Sequence, residues 1–412
     1  MKQGWEIKRL EDEVEFQRGL TYSKKDEVDF SDNIVLRSNN VDLIKNELDF
    51  TELKYINPAI EIQESKKVKK GSLLICTANG SKSHLGKVAL IDDDYNYAFG
   101  GFMGQITPKQ KLDSKFLFYL MTSDKYKKFI NELSDGANIN NLKFSDLGQF
   151  EIPLPPLPEQ QRIVSILDEA FSAIAKAKAN AEQNLKNTKE LFESYLQGVF
   201  ENGNWEERVL GDLCLLITKG SSPKWQGIKY VDEPGILFVT SENVGEGKML
   251  LNERKYVEEK FNLKDKKSIL KKGDVLTNIV GASIGRTAIY DIDDVANINQ
   301  AVCILRCNPK LILNNYLMNL LNSPFLKKIL HDNEVNTARA NLSLGFFNKL
   351  SIPCPSIEVQ QTIVRQLDAL RAETQKLEAV YQKKIADLEE LKKSILQKAF
   401  AGELKTEKAV AV

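Results

Sequence analysis

The feature that most constrains this chain is a duplication. Laying residue n over residue n+200 puts Trp5-Glu6 on Trp205-Glu206, Leu10 on Leu210 and Asp12 on Asp212. The same offset puts Ser123 on Ser323, Lys127-Lys128 on Lys327-Lys328, and Asn141-Leu142 on Asn341-Leu342. Ile152-Pro153-x-Pro155 falls on Ile352-Pro353-x-Pro355, and Gln160-Gln161-x-Ile163-Val164-x-x-Leu167-Asp168 on Gln360-Gln361-x-Ile363-Val364-x-x-Leu367-Asp368. Leu196-Gln197 and Phe200 fall on Leu396-Gln397 and Phe400. Small slips align Lys69-Lys70-Gly71 with Lys271-Lys272-Gly273, and Gly86-Lys87-x-Ala89 with Gly285-Arg286-x-Ala288. The register holds at both ends, so the chain is two halves of one design.

Each half has two parts. The first is mixed: short β-branched runs such as Ser72–Thr77 and Gly235–Thr240 are punctuated by Gly, Asn, Asp and Pro. One helical stretch interrupts them, Ser114–Leu133 and its partner Leu313–His331. This predicts an α+β globule. The second part is a long helix. Pro153-Leu-Pro-Pro-Leu157 reads as a stiff, extended linker, Pro158 suits a first helical position, and Ser356 can cap the second helix. The second helix carries apolar positions at Ile363, Leu367, Leu370, Leu377, Tyr381, Ile385, Leu388, Leu391 and Ile395. The first has Ile163, Leu167, Ala170, Ile174, Ala177, Ala181, Leu185, Phe192 and Tyr195. Narrow stripes on otherwise polar helices indicate coiled-coil partners, the alanines allowing close approach. Val164, Ile166 and Leu191 are apolar beyond what that seam needs, which marks the outer faces as a docking surface.

Connectivity then sets the expected architecture. If the second helix packs on the first it must run back antiparallel. Helices of ~42 residues are about 60 Å long, which predicts a pseudo-two-fold rod with a globule at each end. The expected parts are residues 1–152 (first head), 153–203 (linker and first long helix), 204–352 (second head), 353–402 (second long helix) and 403–412 (a tail expected to be disordered). Few contacts should cross at 153–158 or Gly198–Gly203.

Composition removes several function classes. Lys plus Arg is 57 and Asp plus Glu is 57, which excludes binding driven by bulk positive charge. Local stripes can still hold phosphates. The first head is itself slightly acidic, with 22 basic residues against 24 acidic over 1–151. The five cysteines are scattered, and Cys303 and Cys307 lack a second pair to complete a zinc set. No apolar run reaches membrane-spanning length and MKQGWEIKRL has no export signal, so a cytoplasmic location is expected. Gly80-Ser-Lys-Ser-His-Leu-Gly86-Lys87 has the wrong spacing for a phosphate loop, and no methyltransferase motif appears. Asp168-Glu-Ala-Phe171 matches a helicase box in letters only, since it sits on a coiled-coil helix.

Two similar heads on a rigid spacer suit the reading of two half-sites on a duplex. The candidate contacts are loop donors. They are Thr77, Asn79, Ser81, Lys82 and Lys87 in the first head, and Lys219, Ser221, Ser222, Lys224, Asn278, Ser283 and Arg286 in the second. Amides, Lys and Arg suit base edges, and hydroxyls and Lys also hold phosphates. Trp225 either stacks on bases or belongs to a core. Lys66–Lys70 reads as a solvated edge or a phosphate contact, and Trp5 and Trp205 as packing residues. The other open reading is a coiled-coil adaptor whose two heads bind proteins. Neutral charge favours the adaptor; two non-identical heads with loop donors favour DNA.

The stretch Ile152-Pro-Leu-Pro-Pro-Leu-Pro-Glu-Gln-Gln-Arg-Ile163, the helix after it, and the copy Ile352-Pro-Cys-Pro-Ser-Ile-Glu-Val-Gln-Gln-Thr-Ile363 resemble the specificity subunit of type I restriction–modification enzymes. Trp205-Glu-Glu-Arg-Val-Leu-Gly-Asp212 and the following Lys219-Gly-Ser-Ser-Pro223 are similar to the start of that family's target recognition domain. The first half shows no counterpart of Lys219–Trp225 and has Gln17-Arg-Gly-Leu-Thr-Tyr22 instead. The resemblance implies a non-catalytic subunit whose two target recognition domains read a bipartite, asymmetric site in double-stranded DNA. It implies that the helices hold two methyltransferase (modification) subunits, which restriction subunits join. S-adenosylmethionine, ATP and Mg, and the methyltransferase, ATPase and endonuclease activities, are then expected only in those partners, with no cofactor on this chain.

Overall fold

The computed structural model describes residues 4–135, 141–336 and 340–404. The chain divides into two units, Met1–Ala181 with Lys383–Val412, and Glu182–Gln382. Both long helices are shared between the units, because each head packs against the start of one helix and the end of the other.

In the first unit a four-stranded antiparallel sheet runs in the order Val14–Arg18, Met103–Pro108, Leu73–Cys76, Val88–Leu90. A second sheet has the order Glu27–Val28, Lys54–Ile56, Ile34–Leu36, Ala98–Phe99, its last pair parallel. The second unit repeats this. Cys214–Lys219, Val302–Cys307, Val275–Asn278 and Thr287–Ile289 form one sheet; Tyr230–Val231, Tyr256–Val257, Ile236–Val239 and Ala296–Ile298 the other. The apolar runs that suggested strands are these buried central strands: Leu73–Cys76 is buried throughout, and Leu237–Val239 likewise.

Each predicted single helix in a head is two helices. Ser114–Thr122 is followed by Asp124–Asp135, and Asn314–Asn322 by Pro324–Asp332. The break is at the repeated serine, which is extended in both copies (ψ 157° at Ser123, 149° at Ser323). Each hydroxyl donates to the carbonyl three residues back and accepts the amide three residues on, so it ends one helix and caps the next. In the second copy Pro324 reinforces the stop by lacking an N–H.

The proline segment is extended, as expected, but it is a paired strand rather than a free-standing linker. Glu151–Leu154 is a strand paired antiparallel with Glu6–Arg9, with Pro153 opposite Ile7; Ser351–Pro353 pairs with Glu207–Val209 in the same way. Proline is tolerated because each pair is an edge ribbon of two strands. The glutamine three residues beyond the first residue of each long helix is buried. Gln160 accepts from the Asp113 amide and donates to the carbonyls of Lys111 and Pro155. Gln360 accepts from Leu313 and donates to Leu311 and Pro355. The expectation of few contacts across 153–158 is therefore overturned: backbone pairing and a buried amide bind the helix start to its head. At the other junction Gly198 lies inside the first helix, and the Trp205 indole donates to the Val199 carbonyl.

The long helices are Leu157–Glu201 and Ile357–Ala401. Pro158 is thus the second helical residue, and Ser356 accepts from the Val359 amide at 3.5 Å. In the first unit Ile163, Val164 and Leu167 share a core with Leu396 and Ala399, and Phe116 meets Phe400 edge-on at 5.3 Å. In the second unit Ile363, Val364 and Leu367 share a core with Leu196 and Phe200, and Tyr316 meets Phe200 edge-on at 5.5 Å. The start of each helix therefore packs beside the end of the other, antiparallel, as the connectivity required. The stripe itself is corrected in part. Leu377 and Leu391 are exposed, and Tyr381, Ile385 and Leu388 are only half-buried. Of the alanines expected to allow close approach, Ala181 is buried while Ala170 and Ala177 are half-buried. Val164, expected on an outer face, is in the core of the first head.

Candidate nucleic-acid interface

The loops that leave the strand ends of each head carry most of the candidate donors, and the structure sorts them. Three are committed to the interior. The Thr77 hydroxyl donates to the Phe102 carbonyl. The Lys87 ammonium donates to the Val41 carbonyl at 2.7 Å, and burial holds it below the usual lysine value. The Asn278 amide donates to the Ser241 carbonyl and the Ser283 hydroxyl. These residues shape loops, and their donors are not turned to solvent. Lys87 and Arg286 align in the repeat but differ in place, since Arg286 is exposed.

The others are at or near the surface. Asn79 reaches back to the Ser38 hydroxyl, and Ser81 pairs with Ser83. Lys82 is exposed, with its ammonium 3.3 Å from the Ser134 carbonyl. In the second head Lys219 and Lys224 are exposed, Ser222 is half-exposed, and Ser221 donates to Asp265 while accepting from Gln226. Trp225 is 85% exposed, which settles its two readings against a core role. Of the Lys66–Lys70 run, Lys66 donates to the Arg18 carbonyl and Lys67 pairs with Glu64. Trp5 is buried and Trp205 partly so, both against their heads.

Sheet register reveals an equivalence that the letters hid. Arg18 stands opposite Gly104 and Lys219 opposite Cys303, at the same place in the two sheets. Gly19 and Gly220 follow. A Cβ on Gly19 would lie 2.1 Å from the Gly100 carbonyl oxygen, and one on Gly220 1.8 Å from that of Ile298. Only glycine admits that approach. Arg18-Gly19 is therefore the counterpart of Lys219-Gly220, and the first half does not lack it. A basic residue followed by glycine at the end of the first sheet strand was the available signal.

Beside each of these strand ends is a concavity. In the first head it measures about 320 Å³, with Arg18, Phe102, Asn141 and Phe144 among its walls. In the second it measures about 560 Å³, with Ser241, Asn299, Gln300, His331 and Glu334. His331 hydrogen-bonds Glu334. Among the described residues no group of His, Cys, Asp and Glu is placed to hold a metal ion. All five cysteines are free, and no helix is long and apolar enough to cross a membrane.

Two heads of one topology, differing at their loop tips and each built onto paired helices, define a duplicated recognition scaffold. The chain belongs to the family of the type I restriction modification DNA specificity domain, whose model matches residues 2–186 and again 202–387. It is 26% identical to the StySPI specificity subunit of Salmonella potsdam, over 98% of this chain and 90% of that one. It is equally similar, with the same coverage, to the EcoKI specificity subunit of Escherichia coli strain K12. The fold matches a chain solved in work on complex assembly and conformational transition of the type I R-M system (TM-score 0.79, 22% identity, 98% and 99% covered). It also matches the HsdS subunit from Thermoanaerobacter tengcongensis (TM-score 0.65, 20% identity, 98% of both chains).

Proposed function

We propose that this protein is the DNA-specificity subunit of a type I restriction–modification complex, reading a bipartite, asymmetric site in double-stranded DNA. The observation that carries this is the duplication itself: one topology twice, with identical joints at Gln160 and Gln360 and different loop tips. Identical joints set each head in the same way on its helices, and different tips let the two half-sites differ. The contact set then comprises the exposed donors Ser81, Lys82, Lys219, Lys224 and Arg286 and the half-exposed Asn79, Ser222 and Ser283, with Trp225 free to stack on a base. The helices serve as the dock for two methyltransferase subunits, with restriction subunits joining that core. S-adenosylmethionine, ATP and Mg act in those partners, and this chain does no chemistry.

The test is to map methylated bases in a host carrying the protein with its methyltransferase. A two-part, non-palindromic motif is the expected outcome. The protein-binding adaptor reading is separated by titrating binding to duplex DNA against salt. A DNA reader must lose affinity linearly in log[salt]; no affinity at low salt would sink the proposal.

A further inference from the structure

Neither Arg18, Phe102 nor Gln300 was among the loop donors that the sequence suggests. All three lie at the strand-end tips, and the tips match residue for residue. The Gly100 amide bonds the Leu36 carbonyl and the Met103 amide the Gly100 carbonyl. In the second head Asn299 bonds Val239, and Val302 bonds Asn299. Gly100-Gly101-Phe102 is therefore equivalent to Asn299-Gln300-Ala301.

Phe102 is held in an unusual way. Its carbonyl accepts three donors, the amides of Thr77 and Ala78 and the Thr77 hydroxyl, at 2.9, 3.1 and 3.0 Å. Its backbone is thus pinned to the neighbouring loop, while its ring is 74% exposed. The ring contributes little to the core, and its apolar surface is left in water. A rigid backbone presenting an exposed aromatic is a preorganised contact. In the second head the Ala301 carbonyl takes the Ile279 amide in the same position. There the exposed group is Gln300, whose side chain has no hydrogen-bond partner among the described residues. The Ala301 amide donates to Asn299 Oδ1, which steadies that turn.

A cation stands at the equivalent register in each head, Arg18 or Lys219; Arg18 lines the same concavity as Phe102, and neither cation has a carboxylate partner among the described residues. The scaffold and the charge are thus repeated while the presented group differs: a phenyl ring at the third tip position (Phe102) in one head, an amide at the second (Gln300) in the other. That is the pattern required of two modules that grip the same backbone but read different bases.

We propose that these two tips are base-reading points: Phe102 reads one half-site by apolar contact, Gln300 reads the other through its amide, and Arg18 and Lys219 hold the adjoining phosphates. This rests on the DNA-specificity reading above. A ring meets the thymine methyl group, and a glutamine amide matches the paired donor and acceptor of adenine.

The experiment uses the full chain assembled with its methyltransferase subunit, and maps the methylated motif for the parent and for Phe102→Ala, Gln300→Ala, Arg18→Ala and Lys219→Ala. Phe102→Ala should relax one or two positions in one half of the motif only, and Gln300→Ala in the other half only. Arg18→Ala and Lys219→Ala should keep the motif, weaken binding several-fold at every sequence, and lower the salt slope by about 1 each. If Phe102→Ala prevents assembly, Phe102→Leu replaces it, with the same relaxation in one half expected at reduced extent. An unchanged motif in the Phe102 and Gln300 variants overturns the inference. So does a Phe102 or Gln300 substitution that alters both halves, or one that keeps the motif and only weakens binding to all sequences equally. A parent complex that yields no two-part motif would instead refute the specificity-subunit reading, which keeps the two failures distinct.

Discussion

At the scale of single residues, the two heads solve the same problems with different chemistry, which makes them controls for each other. The buried Gln160 and Gln360 make matching sets of three hydrogen bonds, to which Gln360 adds one to Cys354 Sγ. Replacing either by leucine strands an amide and two carbonyls, so each variant should lose on the order of 1–3 kcal/mol. Denaturant unfolding of the purified chain would read this as a lower midpoint. A second comparison lies inside the sheets. In the second head Arg306 grips Asp274 through two hydrogen bonds of 2.7 and 2.8 Å, and Asp274 is buried. In the first head the matching positions are Ser72 and Thr107, joined by one hydroxyl bond of 2.9 Å. Arg306→Ala leaves a buried carboxylate unpaired and should cost about 3–5 kcal/mol. Thr107→Val removes a neutral bond and should cost about 1 kcal/mol. Equal losses in calorimetric unfolding would show that the ion pair is not the stronger tie.

At the scale of elements, the helices carry more apolar surface than their mutual seam covers. Leu191 is 53% and Val380 58% exposed, both within the second unit. Neither is needed by the core, so Leu191→Asp with Val380→Asp should leave the unfolding midpoint within about 0.5 kcal/mol of the parent. The same pair should weaken co-purification of the methyltransferase; undiminished recovery would place the dock elsewhere. Charge reversal at Arg162, which pairs with Glu159, or at the exposed Arg365, together with nearby polar positions, tests the helix dock from its polar side: it should weaken methyltransferase assembly and leave each head folded. The serine breaks belong to this scale too. Ser123→Ala removes a cap and should cost about 1 kcal/mol, with Ser323→Ala less affected because Pro324 still stops the preceding helix.

At the scale of the molecule, the duplication makes a half-chain prediction. Phe400 packs on Phe116 in one unit, and its repeat partner Phe200 packs on Tyr316 in the other. Residues 1–203 contain a head, its helix and Phe200. Two copies can therefore supply to each other what the missing half supplied, with Phe200 taking the place of Phe400. Expressed with the methyltransferase, this fragment should form a homodimer and direct methylation to a palindromic two-part motif. Its spacer should stay close to that of the parent, since a change in helix length would rotate one half-site out of phase with a duplex of about 10–10.5 base pairs per turn. A monomeric fragment, or a motif without palindromy, would contradict the equivalence of the halves.

The duplication, the α+β heads, the two long helices and their antiparallel pairing were all legible in the sequence. Each rests on periodicity or connectivity, which are properties of chain order alone. The proline strand was misread as a linker because its pairing partner, Glu6–Arg9, lies about 145 residues away along the chain. The helix break at Ser123 was missed because a serine favours a cap or an interior position according to where its hydroxyl finds partners. The burial of Lys87 against the exposure of Arg286, in aligned positions, shows the same limit. The match of Arg18-Gly19 with Lys219-Gly220 needed the sheet register, and the pinned, exposed Phe102 needed three donors brought to one carbonyl from a loop some 25 residues away. Local pattern determined which segments exist and in what order. Which donors are used up inside the heads and which face outward was decided only when distant strands met, because a hydrogen-bond partner is a matter of position in space.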